Sequence, residues 1–120
     1  MREMASVLKA LSDETRLLMF GLLLEAGEMC VCDFVEVLGI TQSKASRHLR
    51  YLVNAGLLTD RRDGVWSYYR IALKPADPQK SVLKGMKRIV SPHVPPGALS
   101  KLAAWRKKKA SCAEMGGCAK

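Results

Sequence analysis

The stretch Asp33-Phe34-Val35-Glu36-Val37-Leu38-Gly39-Ile40-Thr41-Gln42-Ser43-Lys44-Ala45-Ser46-Arg47-His48-Leu49-Arg50-Tyr51-Leu52-Val53-Asn54 holds two helical patterns parted by Gly39-Ile40. Phe34, Val35 and Leu38 lie on one face of a short helix from Asp33 to Leu38, and Gly39 supplies the residue type that ends a helix in the left-handed region. Thr41 is the candidate N-cap of a second helix, Thr41 to Asn54, bounded by Gly56. Two short helices across a tight glycine turn are what a helix-turn-helix requires.

The second helix has two distinct faces. With Gln42 as zero and about 100° per residue, Ser46, Arg50, Ser43 and Arg47 fall near roughly 40°, 80°, 100° and 140°. Ala45, Leu49 and Leu52 gather on the other side, near roughly 300°, 340° and 280°. No acid occurs from Thr41 to Asn54. Gln42, Ser43, Ser46 and Arg47 can read base edges or hold phosphate, and they occupy the helix end that enters the major groove in a helix-turn-helix. Lys44 and Arg50 complete the DNA-binding candidates on this helix together with His48, a phosphate or backbone hydrogen-bond partner at the edge of the apolar arc. An ordinary solvated helix face is the alternative.

Downstream, Leu57 to Arg62 and Val65 to Ile71 are β-prone runs joined by Asp63-Gly64. Asp-Gly between such runs signals a tight hairpin. This hairpin is read as a wing, with Arg61 and Arg62 at its tip meeting the flanking DNA backbone or minor groove. Upstream, Ser12-Asp13-Glu14-Thr15 offers an N-cap and first-turn acids to a largely buried helix through Leu17, Leu18, Phe20, Leu22 and Leu24. Met4, Val7, Leu8 and Leu11 form a shorter amphipathic helix before it, with an apolar side suited to dimerisation. Beyond the wing, Pro75 and Pro78 mark a break before a helical pattern from Ser81 to Val90, and Pro95-Pro96 precede a terminal helix through Trp105. The expected fold is mainly α with a β-hairpin: a winged helix-turn-helix over 1–109, followed by a flexible, cysteine-containing tail over 110–120.

Cys30-Val31-Cys32 stands immediately before the helix-turn-helix. Two soft ligands one residue apart, beside a DNA-reading unit, suggest a chemical sensor coupled to a DNA grip. Buried cysteine also packs as a small hydrophobe, which is the plainer alternative. If Val31 and Cys32 lie in a first helical turn, the two sulfurs leave it about 200° apart, and sharing one small ion requires that turn to distort. A helix N-terminus also favours the ligating thiolate.

Composition bounds these readings. At 120 residues, the chain suits one domain with a real core. The net charge of +9 and a pI of about 9.7 point to a polyanionic partner, although the Lys107-Lys108-Lys109 run reads as a solvated helix end. No apolar stretch suits a signal peptide or membrane span, so a cytoplasmic protein without membrane association is expected. In that compartment the four cysteines are better suited to ligation or redox sensing than to structural disulfides. An enzyme is not expected. Cys-X-Cys lacks the redox spacing of Cys-X-X-Cys, and no phosphate-cradling glycine loop is visible.

Leu11-Ser12-Asp13-Glu14-Thr15-Arg16-Leu17, Cys30-Val31-Cys32-Asp33, Thr41 to Leu49, Ala55-Gly56-Leu57-Leu58 and Trp66-Ser67-Tyr68-Tyr69-Arg70 together resemble the ArsR/SmtB family of winged-helix repressors, most of all its arsenical-resistance members. The resemblance covers roughly Val7 to Ile71 and implies a homodimer, built from the first and last helices, on double-stranded operator DNA. It further implies release by an inducer, here As(III) or Sb(III), with no organic cofactor. The arsenical pattern carries a third cysteine three residues after the second, where this chain has Val35. The resemblance therefore makes Cys30 and Cys32 metalloid ligands and leaves the third to Cys112, Cys118 or an external thiol. Zinc-sensing members carry acid and histidine ligands on the helix matching Ser81 to Val90, which has neither, and lead and cadmium sensors draw cysteines from an N-terminal arm absent here. A cadmium, lead or zinc sensor, a thiol-redox sensor of the same fold and a structural zinc-binding interaction module are the alternatives.

Overall fold

Helix α1, Arg2–Ala10, buries Val7 and Ala10, and Ser12 Oγ donates to the Lys9 carbonyl at 2.7 Å just beyond its end. Asp13, rather than Ser12, then caps α2, Glu14–Ala26: its extended backbone leaves a carboxylate that accepts the Arg16 N–H at 3.0 Å. Helix α2 carries the centre of the core in Met19, Phe20 and Leu22, each wholly buried. Gly21 lets another helix approach closely, because a Cβ there would stand 2.6 Å from Val90 Cγ1.

A short strand β1, Met29–Cys30, leads directly into α3, Val31–Leu38, which ends on Gly39 in the left-handed region at φ 67°. Helix α4, Gln42–Asn54, follows with Thr41 as its N-cap, as the sequence led us to expect. Strands β2, Leu58–Asp63, and β3, Trp66–Ile71, form the hairpin. Asp63 pairs with Trp66, so the two-residue turn is Gly64-Val65, one position later than expected, with φ 64° at Gly64. Strand β1 pairs antiparallel with β3, giving the sheet order β1-β3-β2. That third strand was not expected.

Helix α5, Gln79–Val90, passes through a 3-10 turn at Ser91–His93 to α6, Ala98–Glu114. Helix α6 thus continues past Lys109, where the sequence reading began a flexible tail. The computed structural model describes residues 2–72 and 79–114, with the side chains of 79, 80 and 110–114 left out; Pro75, Pro78 and Cys118 lie outside the described residues. The core gathers Phe20, Phe34, Leu49, Leu52 and Leu57 with Leu58 and Tyr69 of the sheet and Ala98 and Leu102 of α6. The result is a winged helix-turn-helix.

Candidate functional site

The apolar arc of α4 is anchored. Ala45, Leu49 and Leu52 are fully buried, while Gln42, Ser43, Lys44, Arg47 and Arg50 are exposed and Ser46 is half-buried. Thr41 Oγ1 accepts the Lys44 N–H at 3.1 Å, leaving the helix start open to solvent. A helix N-terminus with exposed amide, hydroxyl and guanidinium groups can meet phosphate and base edges together. His48 faces elsewhere: its Nδ1 lies 3.4 Å from Arg16 Nη1, and Arg16 itself stacks 4.1 Å from the Tyr51 ring centroid. Burial lowers the His48 pKa, with Asp13 opposing and Arg16, Lys44 and Arg47 assisting.

The wing arginines differ. Arg61 grips Glu28 with two hydrogen bonds, Nε at 2.8 Å and Nη2 at 2.7 Å, and stacks on Tyr68 at 4.6 Å. Those bonds hold the Glu28 carboxyl below its ordinary range, while Arg62 remains exposed. Glu28 was not singled out in the sequence, because nothing local ties it to a residue 33 positions away.

Cys30 belongs to two elements at once, pairing with Tyr68 in the sheet and preceding the first turn of α3. Its backbone is extended, at φ −96° and ψ 169°. The expected divergence of the sulfurs assumed a helical path through both residues. The extended turn at Cys30 removes it, and the two sulfurs converge and are joined as a disulfide, with Cα atoms 5.5 Å apart. The preference for unpaired thiols is corrected at this pair.

Asp33 completes the site. Its carboxylate accepts the Cys30 N–H at 2.9 Å, a reach back across the first turn of α3. The ligand atoms of Cys30, Cys32 and Asp33 all lie within 4.8 Å of one another. A fully buried carboxylate requires neutralisation and hydrogen bonds, and both come from α6: Trp105 Nε1 donates at 3.0 Å and Lys109 Nζ at 2.9 Å, with Arg106 Nη2 at 3.6 Å. Lys109 Nζ also donates to Cys30 Sγ at 3.3 Å and lies 5.2 Å and 5.6 Å from the Trp66 and Tyr68 ring centroids. Lys109 is only 8% exposed, so the last residue of the basic run is no solvated end. The helical spacing of Trp105 and Lys109 was its one local sign.

A cavity of about 170 Å³ is lined by Cys30, Cys32 and Trp66 together with Gln42, Ser46 and Arg62, so it touches both the cysteine pair and α4. Two soft sulfurs with an oxygen nearby suit a thiophilic ion. Val35 offers no third sulfur. Cys112 stands on α6, with its side chain outside the described residues.

Residues 13–60, from the cap of α2 into the wing, match the family described as bacterial regulatory protein, arsR family. An arsenic resistance transcriptional regulator of Pseudomonas putida is 48% identical over 82 residues, covering 67% of this chain and 62% of its own length. The solution structure of a homodimeric winged helix-turn-helix DNA-binding domain from Mycobacterium bovis, a possible ArsR-family transcriptional regulator, is 32% identical, covers 75% of this chain and 79% of that one, and has a TM-score of 0.59. The chain belongs to the ArsR family. An arsenical resistance operon repressor of Escherichia coli is 52% identical over 64 residues, covering 53% of this ArsR-family chain and 55% of the relative. A cadmium resistance regulatory protein homolog of Staphylococcus aureus is 41% identical over 69 residues, covering 58% and 57%. The chain therefore spans less than two thirds of the length of these three curated relatives. In this ArsR-family protein the matched segment contains Cys30, Cys32 and the whole of α4, but ends before Trp105 and Lys109. No helix among the described residues is long and apolar enough to cross a membrane.

Proposed function

We infer that this protein is a transcriptional repressor that binds operator DNA as a homodimer and leaves it when As(III) or Sb(III) is captured by Cys30 and Cys32. The observation that carries the reading is the position of the thiol pair at the start of α3, sharing a cavity with Gln42 and Ser46 of the DNA-facing helix. Gln42, Ser43, Lys44, Ser46, Arg47 and Arg50 form the reading face, Arg61 and Arg62 flank it, and His48 supports α4 from behind. Leu8 on α1 and Leu99 on α6 are exposed apolar side chains on the two helices assigned to dimerisation, which supports the two-fold assembly, and Ile89 on α5 is a further exposed apolar side chain.

In the dithiol form, each thiol that displaces a hydroxide from As(OH)3 forms an As–S bond and releases water. Two such steps use Cys30 and Cys32. The third thiolate of a pyramidal site is assigned to Cys112 or Cys118 in the 110–120 segment, and the reach of α6 to Cys30 through Lys109 supports a ligand from that end of the chain. The names of the arsenical-resistance relatives favour As(III) and Sb(III) over cadmium, lead or zinc. Fluorescence anisotropy on operator DNA tests the whole reading. Arsenite should release the parent, whereas Cys32→Ser should bind the operator and ignore arsenite; release of Cys32→Ser by arsenite would overturn the sensor site.

One observation favours a second reading, a thiol-redox repressor: the Cys30 and Cys32 sulfurs are joined. Release by diamide, reversed by a phosphine reductant and unaffected by arsenite, would select it.

A further inference from the structure

We propose that Lys109 is a positioning residue that latches α6 and the wing onto the thiol pair, so that ligation of Cys30 is transmitted by loss of the Lys109 contact. The inference rests on the sensor reading above and adds the means by which the sensor is read. Four elements meet at one ammonium group: Asp33 of α3 at 2.9 Å, Cys30 Sγ at the end of β1 at 3.3 Å, and the Trp66 and Tyr68 rings of β3. Lys109 itself comes from α6. A lysine is seldom so buried unless paired, and here its partners belong to both the sensor and the wing.

The charge balance is what makes this contact switchable. In the structure Lys109 contacts the Asp33 carboxylate and a sulfur of the joined pair, and reduction turns that sulfur into a thiol or thiolate, a better acceptor for the same ammonium group. When a thiophilic ion takes the sulfur's electron pair, that sulfur ceases to be a good acceptor and the ion brings its own volume against the ammonium. Asp33 then holds Lys109 with one contact fewer, and Trp105, which shares the same carboxylate at 3.0 Å, feels the change. Because Lys109 also lies over two rings of β3, its displacement loosens the wing from α3. A contact differing between the liganded and unliganded forms is what coupling between two sites requires. Lys109→Met should leave the sulfurs able to capture arsenite while shrinking the effect of capture on DNA.

The test measures operator affinity with and without arsenite in the phosphine-reduced 120-residue chain, for the parent, Lys109→Met and Lys109→Arg. The ratio of the two affinities should fall about tenfold in Lys109→Met and recover in Lys109→Arg, while arsenite still protects Cys30 and Cys32 from alkylation in both. A ratio unchanged in Lys109→Met overturns the latch. Trp105 emission in a Trp66→Phe background gives a second readout that keeps Lys109 in place and serves even if Lys109→Met does not fold. Emission should shift when arsenite or mercuric ion occupies the thiols, and full occupancy with no shift overturns the latch. A protein whose thiols take mercuric ion but not arsenite contradicts the arsenite reading alone, since the mercuric response still decides the latch.

Discussion

If Arg61 serves the operator as proposed, a DNA phosphate must compete there with an intramolecular carboxylate. Its bidentate bond to Glu28 must open, or be shared, before the guanidinium can serve the operator. Glu28→Gln should therefore tighten operator binding at low salt and steepen the plot of log affinity against log salt by about one unit; an unchanged slope in an anisotropy titration would remove Arg61 from the interface. Arg47 has no such competitor among the described residues. Arg47→Ala should weaken operator binding about tenfold or more without altering arsenite affinity, and undiminished binding across salt concentrations would show that the reading face is misassigned. His48 carries a pH signature. Its burial favours the neutral ring, placing the folded pKa below the ordinary value of 6.5, so the unfolded chain takes up the proton first. Stability from this group is present above 6.5 and is lost as the pH falls through that value towards the folded pKa. His48→Gln should flatten this part of the profile, measured as urea midpoints between about pH 7.5 and about pH 5.5.

Helix α4 was legible in the sequence because its information is local: a cap, a stop and two opposed arcs within Thr41 to Asn54. Thr41→Ala removes the acceptor of the Lys44 N–H and should cost about 1 kcal/mol in chemical denaturation. A loss within error would mean that solvent satisfies that amide equally well. The wing was legible for the same reason, yet its turn slipped by one residue, since Asp63-Gly64 and Gly64-Val65 differ only in which cross-strand pair closes the hairpin. Strand β1 was not legible. Two residues carry no alternation, and Met29 and Cys30 become a strand only because β3 arrives beside them. That pairing also extends Cys30 and brings the sulfurs together, so the shape of the thiol site depends on a partner far along the chain. The Asp33 cluster was hidden likewise: Trp105 and Lys109 lie 72 and 76 positions away, and a basic run read locally looks like solvated surface.

For the assembled molecule, the exposed apolar residues of α1, α5 and α6 make a two-fold dimer the expected state, with its α4 helices expected to enter successive major grooves about 34 to 36 Å apart. Analytical ultracentrifugation should find a dimer at micromolar concentration, and a monomer occupying one half-site would contradict it. Replacing Cys112 and Cys118 together by serine should weaken arsenite affinity yet leave residual induction, because a ligand from the chain end adds to a site that Cys30 and Cys32 define; unchanged affinity would sink the third-ligand assignment. If Cys30 and Cys32 are the sensing pair proposed above, their burial, 1% exposed at Cys30 and 6% at Cys32, also sets how fast the protein can respond. Although Cys30 and Cys32 line a cavity, sulfurs so covered leave little area for collision, and capture should wait on a local opening, which the two-residue ladder of β1 makes far less costly than global unfolding. Capture should then stop accelerating as arsenite concentration rises, reaching a plateau rate that belongs to the protein's own breathing.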